Sequence, residues 1–261
     1  MLVGGLVVPA QAASAVGQHA KPSLGGCVAI AHRAGANANI DENTTVAIRR
    51  AGRLKAWAEV DLRRLRSGGL ILMHDDTLQR TTDGWGKVET RSMAYIRSLR
   101  TQPNEQRVPT FEAALIAARA ANTTLYVELK RWQDHWKPAD LVAISRLVHR
   151  HHMLSRTYLG GTRAVLNALK TRTPALKTFW RAANRDVVSV AEARKRSVQV
   201  VQTKTFRVTA RSVNQLRAAG YIVALREANG RPKWREARRV GIGLVQTNNP
   251  MAFQHWCRTH K

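Results

Sequence analysis

Eight short apolar or β-branched runs punctuate the chain, with longer amphipathic stretches of helical period between most of them. That alternation constrains the fold more than any other feature. Strands buried on both faces read as continuous apolar runs, and parallel neighbours need a crossover of about a dozen residues, usually a helix. The runs fall at 27–31, 57–61, 125–130, 157–160, 177–180, 199–202, 221–225 and 243–247. Helical periodicity covers 44–54, 110–121, 139–152, 163–171, 190–196, 210–219 and 233–240, and a last helix is expected from Pro250 towards His260. Eight strands with helices between them predict a (β/α)8 barrel of the TIM type, an α/β fold, with an open doubly wound sheet as the alternative. The run at 70–74 follows Asp61 too closely for a crossover helix and is preceded by Ser67, Gly68 and Gly69, so it reads as an antiparallel return from an extended second strand. Residues 75–107 are polar and turn-rich, which predicts an irregular insertion over one rim. No internal repeat or linker divides the chain, and a single domain is expected over 25–261.

Residues 1–17 read MLVGGLVVPAQAASAVG, an apolar stretch closed by small residues with A-x-A sites, as a truncated signal peptide would. An extracellular protein is therefore expected. Elsewhere no apolar run is long enough to span a membrane. Forty-three Lys and Arg face 17 Asp and Glu, a formal charge of +26. This excess bears on partners rather than fold: anionic polymers such as those of cell walls, or anionic membrane surfaces, would collect around it. The charge is spread along the chain, so no segment reads as a specific nucleic-acid arm. A monomer is expected. Two cysteines exclude a cysteine-based zinc site. Cys27 begins the first strand and Cys257 lies late in the last helix, and barrel geometry returns both to the face opposite the strands' C-terminal ends. A disulfide is expected there.

Chemistry in such barrels sits at the C-terminal ends of the strands. His32 and Arg33 directly follow the first strand, Glu59 and Asp61 end the second, and Glu128 and Lys130 end the third. Alternate strand residues share a face, so Glu59 points with Asp61 and Glu128 with Lys130. Three converging buried carboxylates repel one another unless a cation compensates them, and an all-oxygen donor set implies one divalent cation, Ca²⁺ or Mg²⁺. His74 returns to the same rim after the turn. The cluster His149, His151 and His152 reads as a solvated basic face, and Trp132 and Trp136 as packing or the wall of a pocket.

The segments AHRAG, ENT, AEVDLRRLRSGGLILMHDDTLQRTTDGWGKV, VPTFEAAL and LYVELK, in that order and spacing, resemble the glycerophosphodiester phosphodiesterase family. The resemblance is strong over 28–130 and fades to a last echo in VQTNNP. It implies a metal-dependent phosphoric diester hydrolase that releases glycerol 3-phosphate and an alcohol from small or polymeric phosphodiesters. His32 and His74 would be its acid/base pair, Glu59, Asp61 and Glu128 its metal ligands, and Arg33 and Lys130 its phosphate contacts. Glu42 would lie in the metal site or support it. The second half departs from the family pattern. Ser-Phe is replaced by Leu159-Gly160-Gly161, Trp-Thr-Val-Asn by Ala224-Leu225-Arg226-Glu227, and Thr-Asp by Thr247-Asn248, while nearer the start Ala34 stands for Gly and Asp41 for Pro. Two alternatives follow from these departures and the charge: a lipid phosphodiesterase of the sphingomyelinase D type, and an inactive secreted barrel that binds polyanions.

Overall fold

A computed structural model describes residues 26–35, 40–130 and 136–260. The expected leader at 1–17 and Trp132 lie outside these. Eight parallel strands close on themselves: β1 (Val28–Ala31), β2 (Trp57–Arg64), β4 (Leu125–Leu129), β5 (Thr157–Gly161), β6 (Lys177–Arg181), β7 (Val200–Thr203), β8 (Ile222–Leu225) and β9 (Leu244–Thr247). Each pairs with the next, and β1 pairs with both β9 and β2, which completes the barrel. The open-sheet alternative is thereby excluded. β3 (Leu70–Leu72) lies antiparallel on the extension of β2, with Leu62 opposite Leu72.

Most of the outer layer consists of α1 (Thr45–Arg53), α3 (Phe111–Ala120), α4 (Pro138–Arg150), α5 (Arg163–Arg172), α6 (Val190–Arg196), α7 (Ala210–Ala218), α8 (Arg231–Arg239) and α9 (Pro250–Thr259), while α2 (Met93–Ser98) belongs to the insertion. Local chemistry sets the helix starts. Thr44, Thr110, Thr162, Ser189 and Thr209 each accept a bond from a backbone N–H of the first turn. Proline in the first turn starts α4, α8 and α9, and it moves the start of α8 back to Arg231 from the expected 233.

The space inside the strands is filled by Ile30, Tyr126, Tyr158, Phe179, Val200, Ala224 and Leu244. Phe179 stacks on Tyr126 at 3.7 Å between ring centroids. A side chain at Gly160 would meet the Phe179 ring at 2.3 Å, so this departure from the family pattern makes room for an aromatic at the barrel axis.

The insertion at 75–107 is more ordered than its polarity predicts. Leu78, Val88, Ile96 and Leu99 from it join Leu65, Ile71, Met73 and Val108 in a separate small core, and α2 is capped by Ser92. Widely spaced apolar residues among turns carry no period, and so this cluster was not visible in the sequence. Cys27 and Cys257 form the expected disulfide, with Cα atoms 5.6 Å apart. Among the expected basic-face histidines, His149 is exposed, whereas His151 bonds Glu112 at 2.8 Å. Trp136 packs against the core and donates its indole N–H to the Lys130 carbonyl.

Candidate active site

At the C-terminal mouth of the barrel, Glu59, Asp61 and Glu128 offer carboxylate oxygens within 4.8 Å of one another. Register explains the meeting, since Glu59 and Asp61 are alternate residues of β2 and Glu128 is the direct β4 partner of Asp61. Glu59 and Asp61 are each 1% exposed. Burial, with the charges of Asp61 and Glu128, holds the Glu59 carboxyl well above its ordinary range. Burial acts the same way on Asp61, but Lys130, His74 and the Asn43 amide outweigh it and hold that carboxyl low. Lys130 Nζ lies 3.2 Å from Asp61 and 3.3 Å from Glu128. One ammonium cannot balance two buried carboxylates and the partly buried Glu128, so the residues fit a divalent cation bound by oxygen.

The loop after β1 is folded around this trio. Arg33 and Ala34 adopt left-handed backbone at φ 51° and 60°, a conformation natural to the glycine that the family pattern carries after His-Arg. The turn aims the Arg33 backbone N–H at Glu59 Oε2, 2.7 Å away. Asn43, also left-handed, donates its amide to Asp61 Oδ2 and accepts the Asp61 N–H, both at 2.8 Å. Asp41, in place of proline, is buried and accepts from Thr101 and from both nitrogens of Asn104, which ties the insertion to this loop.

The two histidines have different partners. His32 places Nδ1 2.7 Å from Asn248 Oδ1, a neutral amide at the end of β9. Burial lowers the pKa of His32 below 6.5, with the Asn248 hydrogen bond opposing it only partly. His74 places Nδ1 2.6 Å from Asp75 Oδ1. Although burial raises Asp75, hydrogen bonds from Arg80 and His74 bring its carboxyl down to about 2, so it is ionised at any working pH.

Glu42 lies outside the carboxylate trio. Arg33 holds it at 3.0 Å and Arg80 at 2.7 Å, and Arg80 also bonds Asp75. Glu42 therefore links Arg33 to the His74 side of the site through Arg80. A cavity of about 390 Å³ opens here, lined by His32, Arg33, Arg80, Pro103 and Asn248 among others. A second cavity of about 580 Å³ opens beside Glu128, lined by Arg163, Arg181, Arg185 and Arg196 among others. Arg181 stands 3.7 Å from Glu128 and 3.1 Å from Glu227, which Lys204 and Arg226 also approach at 3.9 Å.

The structure thus brings His32, Arg33, Glu59, Asp61, His74, Glu128 and Lys130 to one mouth, as the sequence predicts. Sequence reasoning missed Asn43, Arg80 and Asn248. Asn43 and Arg80 stand inside motifs where neighbouring residues drew the attention, and Asn248 was visible only as a departure.

The profile of the glycerophosphoryl diester phosphodiesterase family matches residues 32–252. The chain is similar to glycerophosphodiester phosphodiesterase 1 of Rattus norvegicus, 34% identical over 115 residues, covering 41% of this chain and 34% of that protein. It is also similar to the glycerophosphodiester phosphodiesterase of Bacillus subtilis (strain 168), 37% identical over 99 residues, covering 38% and 32% of the two chains. The matched stretch thus spans about a third of each of these curated relatives. Among solved structures, an Oleispira antarctica phosphodiesterase in complex with the product sn-glycerol-3-phosphate superposes with a TM-score of 0.77 at 21% identity, over 87% of this chain and 95% of that one. A glycerophosphodiester phosphodiesterase from Agrobacterium tumefaciens str. C58 gives 0.72 at 23% identity, over 87% and 99%. At these identities the two structures speak to the fold alone.

Proposed function

Because the chain belongs to the glycerophosphoryl diester phosphodiesterase family, we propose that it hydrolyses glycerophosphodiesters to glycerol 3-phosphate and an alcohol. The observation that carries this reading is the trio of buried Glu59 and Asp61 and partly buried Glu128, flanked by two histidines with unlike partners. The trio would hold one divalent cation, Ca²⁺ or Mg²⁺, which when bound polarises a phosphoryl oxygen as a Lewis acid.

The chain's own residues divide the remaining work. Arg33 and Lys130 border the space where the phosphate would sit and offset the charge that grows on its oxygens. His32 donates Nδ1–H to Asn248, so its uncharged ring leaves Nε2 free to take the proton of the attacking hydroxyl. His74 rests on the ionised Asp75, which orients its ring so that Nε2 can pass a proton to the departing alkoxide. The bond from phosphorus to the leaving oxygen breaks as the bond to the attacking oxygen forms, and one proton moves through each imidazole. The two cavities on either side of the trio would each receive one of the alcohol groups.

Secretion is part of the same reading. The Cys27–Cys257 bond supports it, because disulfides persist in oxidising compartments. The test is release of glycerol 3-phosphate from glycerophosphocholine with and without EDTA. Release that EDTA abolishes is expected. Absence of release from any soluble diester would favour the inactive polyanion-binding alternative and overturn the proposal.

A further inference from the structure

The described residues leave six large apolar side chains exposed: Val46, Trp85, Ile116, Val187, Phe206 and Met251. Scattered singly over a surface, such residues need no explanation. These are not scattered. Val187 lies between β6 and α6, Phe206 between β7 and α7, Met251 in the first turn of α9 after β9, and Val46 in the first turn of α1 after β1. Trp85 belongs to the insertion that follows β3. Ile116, midway along α3, lies away from the strand-to-helix connections at the mouth. Since β6, β7, β8, β9 and β1 are consecutive around the barrel, four of the apolar residues form an arc along one side of the mouth.

Cations accompany them. Lys204 and Arg207 flank Phe206, with charged groups 6.0 Å and 5.2 Å from its ring centroid. Arg185 stands two residues before Val187, and no carboxylate pairs with it among the described residues. Arg91 donates to the Trp85 carbonyl at 2.5 Å and caps the Tyr95 ring. The nearest acid to Val187 in sequence, Asp186, is turned inward and accepts from the Ala183 N–H and the Trp180 indole. Exposed aromatic and aliphatic tips with lysine or arginine beside them, on a chain of charge +26, have the chemistry of a surface that rests on an anionic bilayer. The tips enter the acyl boundary while the cations stay at the headgroups. A soluble polyanion would supply partners for the cations but none for Val187, Phe206 and Met251.

We propose that the mouth of the barrel, along the arc from β6 to β1, is a docking face for an anionic phospholipid surface. Docking there brings the candidate active site against the headgroup layer. The face is distinct from the residues that would hold metal and phosphate, so it stands or falls separately from the hydrolytic reading.

The experiment compares flotation of the whole chain with vesicles of pure phosphatidylcholine and of equal parts phosphatidylcholine and phosphatidylserine. The wild type should float with the anionic vesicles and largely fail to do so with the zwitterionic ones. The triple variant Val187→Ser, Phe206→Ser, Met251→Ser keeps every charge and should bind the anionic vesicles at least about tenfold more weakly. Thermal unfolding should be unchanged in the triple variant, which verifies its folding, and so should hydrolysis of soluble glycerophosphocholine. Ile116→Ser, away from the mouth, should bind like wild type. Equal binding by the triple variant would mean that net charge alone drives association and would overturn the proposal. Failure of the wild type to bind anionic vesicles would overturn it as well.

Discussion

The rim built by β1 to β4 and the rim built by β5 to β9 share one plan, yet they hold their charges differently. On the first side the carboxylates are buried or partly buried and closely bonded. Glu59 receives the Arg33 N–H, Asp61 receives Asn43, and Glu42 and Asp75 share Arg80. On the second side Arg181, Lys204 and Arg226 gather at 3.1 to 3.9 Å around the half-exposed Glu227. Interactions shielded from water act at a low effective dielectric and tolerate little displacement, whereas exposed pairs contribute little and can be exchanged. The comparison teaches that the closely bonded charges stand on the side that carries the candidate chemistry, while the other side holds looser pairs that can be exchanged. The family motifs likewise run to Lys130 with departures only at Ala34 and Asp41, and lapse after it.

The sharpest test of this division lies in the histidines. His32→Ala and His74→Ala should each lower turnover of a soluble diester by about a hundredfold or more with unchanged thermal unfolding. Near wild-type turnover in either would remove the first rim's claim to the chemistry.

The metal ligands come next. Added Ca²⁺ or Mg²⁺ at about a hundred times its dissociation constant should stabilise the native state by about 2.7 kcal/mol, visible as a rise in melting temperature. Asp61→Asn should abolish that rise, while Arg181→Ala, on the opposite rim, should preserve it. An unaltered metal response in Asp61→Asn would place the cation elsewhere.

Asn248 crosses the division, since it comes from the second rim and bonds a histidine of the first. If neutral His32 is the base, burial lets kcat/KM hold up as pH falls below 6.5, because its pKa lies lower than that. Asn248→Asp introduces an anion that stabilises the imidazolium, so the acid limb of the pH profile should move to higher pH. A limb that stays in place would mean that His32 does not set it. The smallest effect is expected from Arg181→Ala, which should raise KM several-fold and leave kcat nearly unchanged. A comparable fall in kcat would dissolve the distinction between the two rims.

The barrel was legible because alternating apolar runs report strand burial directly, and the starts of most helices were legible because Thr, Ser and Pro mark them. The site was legible to the extent that its residues stand at strand ends. Glu42 shows the limit: its motif position did not reveal that Arg33 and Arg80, 9 and 38 residues away, hold it outside the carboxylate trio.

The sequence by itself determined the alternation of strands and helices, the placement of two histidines and three carboxylates at or beside strand ends, and the cysteines that could meet. These depend on periodicity and on residues at fixed places in single elements. Only the tertiary structure decided that His32 faces an amide and His74 a carboxylate, that the insertion has its own core, and that the exposed apolar side chains gather along the mouth. Each of those facts joins loops far apart in the chain. Contacts between such loops follow from the closure and register of the barrel, which no local pattern of residues encodes.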